Sequence, residues 1–221
     1  ILAAGTCAPL SGISIVPLKN KEFNPCATNF FLNANLKILK ENPSVKYVVL
    51  SAFWRPILDG QILTAKEKDH LGGIQLVSEN EQENKIFFNN NLELAYLGLK
   101  RTIDAIHALG PEIVFIRSTP DFEFDIRDQC FDRFSLVEKS SCSMQNLVFV
   151  NRRSLEDQLI DRLVSDYPYL KVFDPFSVLC SEKTCDLVRG QNPLYRDSHH
   201  LSDYGSYLLG LSMKNLFIKN K

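Results

Sequence analysis

"NNLELAYLGLKRTIDAIHALGPEIVFIRS", residues Asn90 to Ser118, decides the fold. Leu92, Tyr96, Leu99, Ile103 and Ile106 recur at helical spacing. The run ends at Gly110-Pro111, where glycine suits the C-terminal turn and proline cannot continue a helix. The adjoining segment, Pro111 to Ser118, is apolar on both faces, as a strand buried in a parallel sheet must be. The same helix–strand unit recurs on either side. Upstream, "NFFLNANLKILKEN" carries Phe31, Leu32, Leu36 and Leu39, stops at Asn42-Pro43 and leads into "VKYVVLSAF", Val45 to Phe53. Downstream, "RRSLEDQLIDRLVSDYP" precedes "YLKVFDPF", Tyr169 to Phe176, and a last helix, "SDYGSYLLGLSMKNLFIKN", has Ser202 as its N-cap. Such alternation predicts an α/β fold with a doubly wound parallel sheet, whose ligands sit beyond the carboxyl ends of the strands. Arg55 to Lys85 and Thr119 to Cys142 leave two of those ends with little periodicity, and are read as substrate-binding loops or lids.

At 221 residues the chain suits one substantial core, and a single domain over 1–221 is expected. With 25 basic against 26 acidic side chains and a net charge of -1, nothing favours a polyanionic partner, so nucleic acid is excluded as an expectation. No apolar stretch approaches the ~20 residues of a membrane span. The opening "ILAAGTCAPL" has no initiator Met, basic n-region or signal-type core, and is read as part of a longer polypeptide. Six cysteines form no CxxC pair. Their order predicts three local disulfides, Cys7–Cys26, Cys130–Cys142 and Cys180–Cys185, and hence an oxidising compartment; six buried free thiols are the alternative.

Chemistry concentrates in "RDSHHLS", Arg196 to Ser202. Asp197, His199 and His200 are all metal-ligand types, but adjacent histidines in extended chain point to opposite sides, and neither His70 nor His107 has supporting spacing. No metal and no cofactor are therefore expected. An Asp three residues before a His, in a loop entering a helix, can instead hold one imidazole nitrogen while the other faces a nucleophile. That assigns Asp197 and His200 as orienting acid and base, with His199 pointing away.

"NPLYRDSHHLSDYGSYLLG" resembles the last block of the SGNH-type domain at the C-terminus of bacterial membrane acyltransferase-3 proteins, approximately LYxDxxHLSxxGA. Leu194, Tyr195, Asp197, His200, Leu201, Ser202 and Gly205 match, and Ser206 replaces the usual Ala. "GTCAPL" resembles that family's SGCPPL, with Cys26 as its partner; "YVVLSAFW" resembles VVLAARW; and "LCSEKTCDLVRGQNPLYRD" resembles LCDGxxCxxxxDGxPLYRD. The resemblance runs from about Gly5 to Leu209. It implies an SGNH hydrolase-like, flavodoxin-like three-layer α/β/α sandwich in the periplasm, tethered to the inner membrane. There it would work with a membrane acyltransferase domain in the same polypeptide to acetylate a carbohydrate hydroxyl through an acyl-serine. An acetylesterase of the same fold, or an inactive glycan-binding or docking module, are the other readings.

The family's nucleophile lies in a Gly-Asp-Ser block upstream of SGCPPL, and no such block occurs between Ile1 and Lys221. The expectation is an N-terminally incomplete domain, its first strand and nucleophile upstream; Ser51 and Ser118, both at strand ends, are the alternatives within the chain. The backbone near Gly5 and Thr6 is the expected oxyanion donor. Trp54 stands where the family has the tryptophan of its RW pair, with Phe53 in place of the Arg, and Arg55 one place later is the candidate to restore the charge.

Overall fold

The computed structural model describes residues 7–19, 30–61, 72–130 and 142–217, and divides the chain into two compact units. Residues 1–117 and 155–172 make the first, residues 118–154 and 173–221 the second.

In the first unit, strand β2 (Tyr47–Ser51) runs parallel to β4 (Glu112–Ile116), with Tyr47 opposite Glu112 and Ser51 opposite Ile116. With β6 (Lys171–Phe173) they form a parallel three-stranded sheet in the order β2-β4-β6. These are the three strands expected from sequence, each trimmed at its ends. Helices α1 (Phe30–Glu41), α4 (Asn91–His107) and α7 (Ser154–Asp166) alternate with them as expected. The buried stripe of α4 differs in detail: it comprises Leu94, Ala95, Gly98, Leu99, Thr102, Ile103 and Ile106, while Leu92 and Tyr96 lie at its rim. Tyr96 is held there by its Asp166 hydrogen bond and by the Arg162 guanidinium over its ring.

The small residues face an element the sequence reading did not anticipate. Strand β1 (Ile13–Pro17) pairs antiparallel with β3 (Ile74–Ser78), and its approach passes directly over Gly98. A Cβ on Gly98 would lie 2.9 Å from both Leu10 Cβ and Ile13 Cγ1. Ser11 N donates to Gly98 O at 3.1 Å and to Thr102 Oγ1 at 3.1 Å, so helix and strand meet backbone to backbone.

The segment Arg55 to Lys85 is thus not a structureless loop. It holds α2 (Trp54–Asp59), β3 and α3 (Glu81–Ile86), residues 62–71 lying outside the described part. Its regularity was hidden because each element is only five or six residues long, shorter than two turns of a helical period. Asn91 joins the pieces: its Oδ1 accepts from Leu76 N at 2.9 Å and its Nδ2 donates to Ile57 O at 2.9 Å.

The second unit is built from short elements. Strand β5 (Ser143–Gln145) pairs antiparallel with β7 (Thr184–Asp186), and β8 (Val188–Arg189) with β9 (Asn192–Pro193). Helices α5 (Ile126–Cys130), α6 (Asn146–Arg152), α8 (Phe176–Leu179) and α9 (Asp203–Phe217) complete it. The segment after β4 is therefore also partly regular, with residues 131–141 outside the described part. Two of the three expected disulfides, Cys130–Cys142 and Cys180–Cys185, staple this unit. The third involves Cys26, which lies outside the described residues. An aromatic cluster forms the unit's core: Phe122 meets Tyr195 edge-on at 4.8 Å and Phe149 at 5.4 Å, all three buried.

Candidate active site

Asp197 and His200 sit on a turn whose ends are tied. Tyr195 and Leu201 form a β-bridge, and Arg196 N donates to His200 O at 2.8 Å, closing a loop of residues 196–200. Beyond it, Ser202 caps α9 as expected, its Oγ accepting from Gly205 N at 3.0 Å while donating to Pro193 O at 2.6 Å. Gly205 is required by the same packing, since a Cβ there would stand 2.1 Å from Leu194 O. The helix start is pressed against the chain that leads into the turn, and this fixes where the turn stands.

Within the turn, Asp197 Oδ1 accepts the backbone N–H of His199 at 3.0 Å and of His200 at 2.8 Å. The His200 ring donates from Nδ1 to Asp197 Oδ2 at 2.8 Å. Burial by itself would raise the Asp197 pKa, but these hydrogen bonds from His200 and His199, with the charge of His200, bring it down to about 2. Asp197 is therefore a carboxylate under any physiological condition. With Nδ1 committed to it, Nε2 is the nitrogen of His200 left to take a proton, and this side chain is 54% exposed.

His199 does not point away. Its ring lies 4.0 Å from that of His200, centroid to centroid, with Nδ1 2.9 Å from Ser198 Oγ and 3.9 Å from Asp197 Oδ1. The alternation of an extended chain fails here because Asp197 captures two successive N–H groups and bends the backbone into a turn. As a result the ligand atoms of Asp197, His199 and His200 all lie within 4.8 Å of one another, so the directional argument against a metal does not hold in the folded chain.

Sequence reasoning missed the support beneath the turn. Phe122 N donates to the carbonyl of Ser198 at 2.8 Å, and Arg152 clamps the same segment, bonding Asp121 O at 3.2 Å, Asp121 Oδ1 at 3.3 Å and Glu123 Oε1 at 2.5 Å. A backbone contact has no side-chain signature, so only the aromatic residues of "DFEF" hinted at burial. Asp125, held below the usual carboxylate range by Arg127, lies close enough to Asp197 for their charges to interact. Burial pushes the Tyr195 phenol well above its ordinary value, and its hydroxyl has no partner among the described residues.

Apart from Ser118, the remaining candidates belong to the first unit or fall outside the described residues. Trp54 is fully buried, its Nε1 donating to Ile116 O at 2.9 Å and its ring stacked 4.8 Å from Phe115. It has no surface to offer a substrate, and instead anchors α2 to the carboxyl end of β4. Arg55 pairs with Asp59 one turn along the same helix at 3.4 Å. Ser51 is exposed at the end of β2, and Ser118, in the second unit, is buried. Gly5 and Thr6 lie outside the described residues.

A parallel α/β sheet and an Asp–His pair on the turn before a final helix define the SGNH hydrolase-like class. The chain belongs to the family described as SGNH domain (fused to AT3 domains), which matches residues 1–214. In structure it is similar to the periplasmic domain of the Salmonella ser. Paratyphi A lipopolysaccharide acetyltransferase. The TM-score is 0.58 and the identity 17%, over 96% of this chain and 69% of that one, a likeness of fold. No curated protein matches the chain. Among the described residues, no helix is long and apolar enough to cross a membrane.

Proposed function

We propose that this chain is the periplasmic acetyl-transfer domain of a membrane acyltransferase, with both compact units forming one SGNH-type domain. The observation that carries this reading is the Asp197–His200 pair: a low-pKa carboxylate fixed by two N–H groups, orienting an imidazole whose other nitrogen is available. His200 takes the proton of a serine as that serine attacks the acyl donor, is stabilised as imidazolium by Asp197, and returns the proton to the donor's leaving group. In the second half-reaction His200 takes the proton of a sugar hydroxyl as its oxygen attacks the acyl-serine, and returns it to the serine oxygen that leaves as the acetyl group passes to the sugar. The acceptor is a surface carbohydrate. The acyl donor arrives through a membrane acyltransferase domain in the same polypeptide, in keeping with a family described as fused to AT3 domains. The domain needs no cofactor for this chemistry.

The test is fluorophosphonate labelling, followed by mass spectrometry to locate the modified residue. Labelling of Ser51, Ser118 or another serine of the 221-residue protein, abolished by His200→Ala, establishes a nucleophile within residues 1–221. If the label appears only on the full-length gene product, and again depends on His200, the serine is supplied from outside them. Absence of a His200-dependent label in both proteins overturns the acyl-serine reading.

A further inference from the structure

We propose that Asp197, His199 and His200 together bind one divalent transition-metal ion of the Zn2+ type, and that its binding switches off the base. The switching-off rests on the acyl-transfer reading; the binding itself does not.

Tetrahedral zinc, with bonds of about 2.0–2.1 Å, places its ligand atoms roughly 3.3 Å apart. Asp197 Oδ1 stands 3.1 Å from His200 Nδ1 and 3.9 Å from His199 Nδ1. All three ligand atoms fall within 4.8 Å of each other, so movements of about an ångström close the set. Two imidazoles and one carboxylate suit zinc, copper, nickel or cobalt, whereas magnesium and calcium take oxygen donors. The carboxylate is fixed by two backbone N–H groups, and the rings stand side by side. His199 has no part in the acid–base pair, and metal binding would give it one.

The inhibitory consequence follows from the tautomer. In the working base, Nδ1 carries the proton given to Asp197 and Nε2 holds the lone pair. An ion that binds between Asp197 and His200 takes the Nδ1 lone pair, and the single ring proton moves from Nδ1 to Nε2 through solvent. The neutral ring then carries its one proton on Nε2, the nitrogen that has to accept one from serine. The metal-bound histidine is still neutral but is no longer a base.

Isothermal titration of the 221-residue protein with Zn2+ alone, and visible spectra with Co2+ alone, test the site. One equivalent should bind saturably, Mg2+ should give no heat, and His199→Ala should weaken Zn2+ binding at least about tenfold. His107→Ala, remote in sequence and stacked on Tyr169, should leave it unchanged. Absence of saturable Zn2+ binding, or equal binding by His199→Ala in a protein with wild-type circular dichroism, overturns the site. The switch is read by long-range 1H–15N spectra of the His200 ring: proton density should move to Nε2 on adding Zn2+, and an unchanged tautomer refutes it. Acetylation by the full-length protein with Zn2+, then with EDTA, should be lost and restored. A protein that binds zinc in this way but never acetylates any glycan refutes the acyl-transfer reading while the metal site stands.

Discussion

The turn at 195–205 and the helix at Trp54–Asp59 were singled out by the same family resemblance, yet they are built for different work. In the turn, hydrogen bonds converge on the Asp197 carboxylate, which holds one imidazole half-exposed with a nitrogen available. In the helix, the indole N–H is committed to the Ile116 carbonyl, the ring is fully buried, and Arg55 pairs with Asp59. A matching motif is therefore a candidate for chemistry only where burial leaves a reactive atom accessible. Elsewhere it marks the architecture that holds the sheet ends.

That contrast is broken or sharpened by separating activity from stability. The largest effect is expected at the turn. His200→Ala and Asp197→Asn should each lower acetyl transfer by the full-length protein at least about a thousandfold, and the double variant should be little worse than either single one. Near-normal transfer by His200→Ala would remove the turn's claim to the chemistry. Next comes Gly205→Ala, which forces a methyl group onto the Leu194 carbonyl and should cost about 3 kcal/mol or more in urea unfolding. An unchanged midpoint would mean that the start of α9 does not fix the turn.

Reduction ranks third in size. In a chain-entropy account, opening Cys130–Cys142 or Cys180–Cys185 costs about 2–3 kcal/mol each, so thermal unfolding should shift down on adding reductant. Trp54→Phe should be milder still, at about 1–2 kcal/mol for the lost donor and partial cavity, with acetyl transfer per folded molecule largely kept. A large loss of activity without a loss of stability would reverse the contrast and place Trp54 in the chemistry.

The smallest effect concerns acid. Folding lowers the Asp197 pKa to about 2, so its stabilising contribution is complete above about pH 4 and is lost as pH falls through about 2. Wild type should therefore lose stability relative to Asp197→Asn across that window. Parallel curves would show that the turn's hydrogen bonds contribute nothing to folding.

The parallel strands and their connecting helices were legible because long apolar periods survive in sequence, as at Ile103 and Ile106 or in the run through Val114 and Phe115. The β1–β3 pair and α3 were not, since five- or six-residue elements leave no period to count. The Asp197–His200 spacing was legible for a local reason: three residues are enough for a side chain to reach back across a turn.

By itself the sequence determined the α/β class, the local disulfide partners in the second unit, the cap at Ser202 and the pairing of Asp197 with His200, all set by contacts close along the chain or by periodic burial. Tertiary structure alone decided that His199 lies beside His200, that Phe122 and Arg152 hold the turn from beneath, and that Trp54 is an anchor. These depend on backbone direction and on partners tens of residues away, and neither is written in any local pattern of side chains.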